Sequence, residues 1–451
     1  MTAKLHDHPT VQALRMHPSA APRRSSLAEL RTLALECGAE DVGFVEIERP
    51  EIADQRADIA RALPGTTLLI SYVVRMNRAA IRTPERASAN LEFHHVGDLV
   101  NAVGHRLARA LQDAGHRALN PAMGFPMEMD RFGGKAWTVS HKPVAVAAGL
   151  GRIGVHRNVI HPRFGSFVLL GTLLCDVPIA DADREALGRP LDWNPCFECK
   201  LCVAACPVGA IKQDGGFDFS ACYTHNYREF MGGFSDLLGQ VAESRDREQL
   251  RERVGDSELV SWWQSLAFGP TYKAAYCLAV CPAGSEVIAP FLSDRKHFVE
   301  QVVRPLQSKV ETLYVLPGSD AEAHAKRRFP HKPTRRVSNG LRPRSIEAFL
   351  RGLPLAFQRE QAAEVELRVH FVFRPDEGEG DPIVATVAID RGRLEVVREL
   401  VGGANLRVEA THATWLGLLA GRRSPLGAML ARKLRIHGSP RLLTRFRACF
   451  R

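Results

Sequence analysis

The sequence lacks any apolar run of the roughly 18 to 20 residues needed to cross a bilayer. The stretch from Met1 to about Ser25 mixes His, Pro and Arg without the apolar segment of a secretory signal. Together these absences predict a cytoplasmic protein with no transmembrane segment. Acidic residues are in the minority: 50 Asp and Glu against 60 Lys and Arg give a net charge of +10. The excess gathers at 326–344 and from Arg422 to the C-terminus, as a solvated basic surface or one that attracts anionic lipid or an acidic redox partner. No nucleic-acid recognition module is evident, so nucleic acid is not expected as a partner. A disulfide scaffold is also missing, because seven of the ten cysteines crowd between Cys196 and Cys281 at metal-like spacings. Such thiols need a reducing compartment.

What is present is the composition of a globular chain, 45% hydrophobic and 24% charged. At 451 residues it exceeds one ordinary core, and two or three domains are expected. After a flexible N-terminus, 1–25, the region 26–190 reads as α/β. Ser26 and Glu29 form a capping box, Leu27, Leu30, Leu33, Ala34 and Cys37 share one helical face, and Gly38 stops the helix. Strands are predicted at 42–47 and 66–74, and an amphipathic helix through Leu99, Val103, Leu107, Ala110 and Leu111 ends at Gly115. Cysteines dominate 191–293. A helical extension and a basic, Gly- and Pro-rich linker follow at 294–344. The last region, 345–451, opens with a helix and a strand in which Val365, Leu367, Val369 and Phe371 alternate with Glu366, Arg368 and His370. A hairpin turning at Asp390 to Arg393, a helix capped by Thr411 and a closing helix with Pro440 at its first position complete it.

The run Cys196-x2-Cys199-x2-Cys202-x3-Cys206-Pro207 is that of a bacterial ferredoxin, in which three thiolates hold one cluster and the fourth reaches another. Structural zinc favours paired Cys-x2-Cys hairpins over interleaved spacings that end in Cys-Pro. The first cluster then needs a ligand from a distant Cys-Pro, which Cys281-Pro282 supplies. Cys206, Cys222 and Cys277 remain for the second. Two 4Fe-4S clusters need eight ligands and seven cysteines are available. Ala274 occupies the place where a Cys-x2-Cys-x3-Cys-Pro motif would begin. The second cluster is therefore a 3Fe-4S form, takes a non-cysteine ligand, or leaves one iron open. His225 is the nearest other ligand type, although a core or solvated histidine is the plainer reading. Cys37 and Cys175 read as core residues, and Cys449 has no partner in sequence.

Gly149-x-Gly151-x-x-Gly154 satisfies a dinucleotide fingerprint, with Asp176 at a suitable distance. The helix that would receive a pyrophosphate is broken by Pro162 and Gly165 within two turns, so a nucleotide is not expected there.

With these motifs in place, residues from about 26 to 292 resemble the family containing epoxyqueuosine reductase and, more distantly, the corrinoid reductive dehalogenases. The likeness is carried by the stretches 147–154 and 165–171, the ferredoxin run, Cys222-Tyr223 and 276–282. It implies a cobalamin-binding α/β domain packed on two clusters that feed electrons to cobalt, with Gly149, Gly151, Gly154 and Gly165 approaching the corrinoid. This chain departs from the family at Ala274. It departs again about a dozen residues before Gly149, where the family's acidic proton donor is replaced by the stretch 134–138; Glu128 and Asp130 lie farther upstream. Residues from about 345 to 451 resemble a sterol carrier protein domain, which implies an apolar tunnel for a lipid or sterol-like ligand, with Phe371, Trp415 and Leu419 as candidate walls.

The fold class expected is therefore α/β: a corrinoid-reductase-like domain with a ferredoxin-like two-cluster module and a small α+β sterol-carrier-like C-terminal domain. The leading functional expectation is an iron–sulfur oxidoreductase, supplied by a ferredoxin or flavoprotein donor, that passes single electrons, through a corrinoid, to a hydrophobic substrate held by the C-terminal domain. One alternative is a non-catalytic electron carrier with a docking domain. The other is an epoxyqueuosine reductase-like enzyme that modifies tRNA.

Overall fold

The computed structural model describes residues 7–16, 25–131, 135–376 and 380–451. Ser26 and Glu29 cap each other reciprocally, with the Glu29 amide donating to the Ser26 hydroxyl at 3.2 Å and the Ser26 amide to the Glu29 carboxylate at 2.9 Å. The helix Leu27–Glu36 that they start buries Leu27, Leu30 and Ala34. It packs on a sheet built from the strands of the first half. These are β1 (Asp41–Glu46), β2 (Leu68–Arg75), β3 (Ala118–Leu119), β4 (Arg152–Ile153), β5 (Val159–Ile160) and β6 (Val168–Cys175). Four of them form an antiparallel sheet in the order β1-β2-β6-β3, while β4 and β5 pair separately.

Strands β2 and β6 are buried almost throughout, the polar Ser71 and Thr172 included, because both sheet faces are covered. Leu68, Ile70, Tyr72 and Val74 meet the long helix Arg86–Asp113 on one face. Leu69 and Val73 meet the helix His141–Ala147 and Ile52 and Ile59 on the other. The long helix buries Val96, Val100, Val103, Leu107 and Leu111 at spacings of three and four. Leu99, expected on that stripe, lies at its edge and faces solvent.

The cysteine-bearing region is helical and loop-rich, with short helices Leu201–Ala205, Phe219–Asn226 and Tyr276–Ala279. Between them stand the helices Gly232–Glu243 and Asp256–Phe268.

The stretch 317–343, read from its composition as a linker, is folded. Strands β7 (Leu313–Val315) and β8 (Thr334–Arg336) pair in parallel around the helix Asp320–Arg328, which Ser319 caps. Pro317, Gly318 and Pro330 lie in its turns. Asp320, nearly inaccessible, accepts the Glu360 and Gln361 amides at 2.7 and 3.0 Å, tying this segment to the C-terminal region.

That region carries β9 (Glu366–Arg374), β10 (Ile383–Asp390), β11 (Arg393–Val397), β12 (Leu406–Thr411) and β13 (Leu434–His437) in one sheet of order β11-β10-β9-β12-β13. All neighbours are antiparallel except β9 and β12. Leu367, Val369, Phe371 and Phe373 are buried as the alternation predicts, under the helix Ile346–Ala356. His370 is buried too, because the chain near Val401 covers part of the opposite face and accepts its Nε2 contact at 3.2 Å. The expected tunnel walls do not surround a common opening. Phe371 and Trp415 are in ring contact at 5.5 Å inside an aromatic core with Phe349 and Phe446, and Leu419 faces solvent.

Candidate iron–sulfur site

Seven of the chain's cysteines lie where the loop 192–200, the three short helices and the segment 277–284 meet. Residues Glu198 and Lys200 adopt left-handed backbone, which lets the chain coil tightly between Cys196, Cys199 and Cys202 before the helix Leu201–Ala205 begins. Cys206 leaves that helix in extended geometry, and the amides of residues 208–211 converge on its sulfur, with Ala210 N at 3.2 Å. Such converging amides stabilise a thiolate. Cys222 sits on the helix Phe219–Asn226, whose N-terminus Asp218 caps by accepting the Ala221 amide at 2.9 Å.

The mutual electrostatics of the sulfurs sort them. Burial, with the neighbouring charges of Cys199 and Cys196 adding to it, raises the Cys281 thiol to about 11. Burial together with Cys206 raises Cys222 to about 12, and burial, then Cys222 and Cys206, raise Cys277. One group is therefore Cys196, Cys199 and Cys281, and the other is Cys206, Cys222 and Cys277. Cys202 is raised by burial and then by Cys277, Cys281, Cys199 and Cys196, so it stands where the two groups adjoin. Thiols held this high keep their protons until a metal displaces them. Among the described residues no three His, Cys, Asp or Glu side chains are close enough to share a single ion. The donor set fits iron–sulfur clusters.

The loop 149–166 supplies second contacts that the spacing of cysteines did not reveal. Its Val155 amide donates to Cys196 Sγ at 3.4 Å, and the Asn158 side-chain amide stands 3.9 Å from Cys277 Sγ. Lys142 holds Asn158 in this orientation, donating to its Oδ1 at 2.8 Å and to the Arg157 carbonyl oxygen at 2.9 Å. Ser166 donates to the Leu278 carbonyl oxygen at 3.1 Å.

These contacts also explain the four glycines read as a corrinoid cradle. A side chain on Gly151 would collide with the Ile160 carbonyl, one on Gly154 with the Ile160 side chain, and one on Gly149 with the Arg189 carbonyl. Gly165, at φ +64°, lies directly against the Ala283 carbonyl, next to Cys281-Pro282. The space that a side chain would take at each is filled by protein, so these glycines bring 149–166 against the cysteine segment.

Ala274 is fixed by Asn226, whose Oδ1 accepts the Ala274 and Ala275 amides at 3.0 and 3.1 Å. His225 does not fill the ligand place. Its Nδ1 accepts the Tyr314 amide at 3.3 Å, its ring stacks on Tyr314, and burial holds its pKa down to about 3. Tyr227 was missed in sequence. Burial, then Tyr272, Cys222 and Cys277, push its phenol up, which places it beside the second cysteine group. Cys37, Cys175 and Cys449 are buried away from these groups, in hydrophobic cores. Glu128 and Asp130 are on the surface, and the place expected to carry the acid, 134–138, begins outside the described residues.

Residues 190–212 match the 4Fe-4S binding domain, and residues 357–451 match the SCP-2 sterol transfer family. The molecule is an iron–sulfur α/β protein joined to a sterol-carrier-like module. Among curated relatives it is similar to the epoxyqueuosine reductase of Aliivibrio fischeri, 27% identical over 36% of this chain and 41% of the relative. It is 25% identical to that of Vibrio cholerae over 53% of this chain and 67% of the relative. With that of Synechococcus it shares 36% over 29% of this chain and 35% of the relative. The chain thus spans well under two thirds of two of these three enzymes. Solved structures with overlapping fold include an epoxyqueuosine reductase from Streptococcus thermophilus, with TM-score 0.33, 16% identity and coverage of 67% of this chain and 81% of that one. Another is an epoxyqueuosine reductase held with a tRNA stem loop, with TM-score 0.29, 16% identity and coverage of 44% and 56%. The similarity to the curated relatives, with the 4Fe-4S match, points to iron–sulfur reductases. Among the described residues no helix is long and apolar enough to cross a membrane.

Proposed function

We propose that the chain is an iron–sulfur reductase of the epoxyqueuosine reductase kind, acting on a modified nucleoside carried by RNA. The observation that supports this reading most is the sorting of seven cysteines into two adjoining groups, braced by the loop 149–166, whose two ends carry part of the resemblance to those reductases. In this reading Cys196, Cys199, Cys202 and Cys281 hold one cluster. Cys206, Cys222 and Cys277 hold the other, whose fourth corner lies toward Ala274. When bound, each cluster supplies one electron at a time, so a pair matches the two electrons that reduction of an epoxide takes.

The protein's own residues do the rest. Val155 and Asn158 donate N–H groups toward sulfur, the Cys206 amides favour its thiolate, and the ring cluster of Tyr227, Phe230 and Tyr272 stands beside the second group. The basic surface suits an RNA backbone. No step is routed through a corrinoid.

The test is anaerobic incubation of the cluster-loaded protein, a chemical reductant and RNA containing epoxyqueuosine, with the nucleoside followed by mass spectrometry. Conversion supports the reading. Clusters that reduce and reoxidise without converting it would overturn the RNA substrate.

A second reading, reduction of an apolar ligand presented by the C-terminal module, is favoured by the match of 357–451 to the SCP-2 family. Exposed Leu419, Leu426, Met429 and Leu430 are its candidate apolar contacts. Lipid co-purifying with the full chain, and consumed on reduction, would favour it over RNA.

A further inference from the structure

Beside the second cysteine group lies a cavity of about 430 Å³ that none of the reasoning above uses. It opens between the start of the long helix, the helix Asp256–Phe268 and the chain leading into β7. Its charged lining is Arg86, Lys273, Lys309, Arg335, Glu258 and Glu311. The volume falls in the range of small-molecule sites.

Its charges do not balance. Lys273 is paired with Glu229, and Arg335 with Glu258. Glu311 is taken by Lys332 at 2.7 Å and by the Tyr276 hydroxyl at 2.7 Å. That leaves Arg86 and Lys309. Arg86 is only 7% exposed, yet it meets no carboxylate among the described residues. Its Nη1 donates to the Ile81 and Thr83 carbonyl oxygens at 3.1 and 3.2 Å, and its Nε and Nη2 have no partner. The Lys309 ammonium donates to the Pro84 carbonyl oxygen at 2.7 Å and likewise forms no ion pair among the described residues. Buried cations of this kind are costly unless a counter-charge is close. Glu311, already held by Lys332 and Tyr276, is the carboxylate near both, with Glu85 also near Lys309; two positive charges without a direct ion pair on one small cavity correspond roughly to the −1.5 to −2 charge of a phosphate monoester near neutral pH.

The position gives the site a role. The Arg86 guanidinium lies over the Tyr276 ring, 5.3 Å from its centroid, and Tyr276 adjoins Cys277. Tyr272 also lines the cavity and touches Tyr227, whose phenol faces Cys222 and Cys277. An anion bound here would sit next to the sulfurs of the second group.

We propose that this cavity is a phosphate-binding subsite in which Arg86 and Lys309 hold a phosphate monoester and anchor a ligand beside the second cysteine group. The site goes beyond the RNA-reductase reading and does not depend on it. A free nucleotide and a terminal phosphate on RNA share the chemistry that it recognises.

The test uses the full-length, cluster-loaded protein in phosphate-free buffer, titrated calorimetrically with inorganic phosphate, uridine monophosphate, uridine and a 5′-phosphorylated RNA stem loop. The site predicts saturable one-to-one binding of uridine monophosphate and no binding of uridine. Tighter binding of the stem loop would make RNA the source, and tighter binding of the mononucleotide a free nucleotide. Lys309→Gln and Arg86→Gln should each weaken binding by about tenfold or more, while Lys296→Gln, on an exposed residue, should not. Lys309 is only half-buried, so its variant remains informative if Arg86→Gln does not fold. No saturable phosphate binding, equal binding of uridine, or unchanged binding by Lys309→Gln would overturn the proposal. Phosphate binding without reduction of epoxyqueuosine RNA would contradict only the reading of function above. Reduction without phosphate binding would contradict only this one.

Discussion

The side-chain amide of Asn158 stands 3.9 Å from Cys277 Sγ, and the Lys142 ammonium holds it there through Asn158 Oδ1. The pair places an N–H donor and a positive charge next to one sulfur of the second group. Both favour the more negative, reduced state of anything that sulfur holds.

Replacing Asn158 by Ala should therefore lower the potential of the second cluster and leave the first unchanged. A bond worth about 1.4 kcal/mol corresponds to about 59 mV for one electron, and at this separation the shift should reach at most that size. Redox titration followed by electron paramagnetic resonance checks it. An unchanged second potential, or equal shifts in both, would remove Asn158 from this role.

Gly165→Ala should loosen the loop 149–166 from the segment 277–284. The residue sits at φ +64° and directly against the Ala283 carbonyl, so we expect a loss of about 2 kcal/mol or more together with reduced iron content. Gly239→Ala, where an added side chain meets nothing, should lose neither. Thermal unfolding and iron analysis of the two variants decide between a packing role and none.

The fold was legible where the signal is local. The Ser26 and Glu29 box, the alternation around Leu367 and the interleaved cysteine run each depend on neighbours within a few residues. Asn158, Val155 and Arg86 were not legible, because their value comes from chain 40 to 200 residues away folding against them; Asn158 and Cys277 are separated by 119 positions. The glycine motif was recognised as needing close approach, and the protein atoms packed against it are backbone at Gly149, Gly151 and Gly165 and the Ile160 side chain at Gly154. His225 lies three positions from Cys222, yet the helix turns it onto Tyr314. The segment 317–343 looked like a linker because its Gly and Pro residues resemble those of turns, which is where Pro317, Gly318 and Pro330 lie.

Acid should destabilise the protein through two buried histidines. Burial holds His225 down to about 3 and His156 to about 4, against an ordinary value of 6.5. Between pH 6.5 and those values the unfolded chain binds protons that the folded chain refuses. Stability is therefore full above pH 6.5 and falls as the pH drops, levelling off near pH 3 to 4. Urea midpoints measured on the protein from pH 7.5 to 4 check this, and His225→Asn should flatten the slope. A midpoint that rises on acidification would contradict it.

Ala274→Cys should complete the second thiolate set, since Asn226 already fixes the backbone at that position. Air-oxidised wild-type protein should show the signal of a three-iron cluster, and the variant should show less of it. The same oxidised spectrum from both would place the open corner elsewhere.

The most direct measurement is iron, acid-labile sulfide and zinc per chain in anaerobically purified protein, with Cys199→Ser and Cys449→Ser alongside. Two clusters with one thiolate short predict about seven to eight iron atoms and matching sulfide in the wild type. Cys199→Ser should lose about half of the iron, and Cys449→Ser should lose none. Stoichiometric zinc without acid-labile sulfide, or full iron in Cys199→Ser, would contradict the two-cluster assignment.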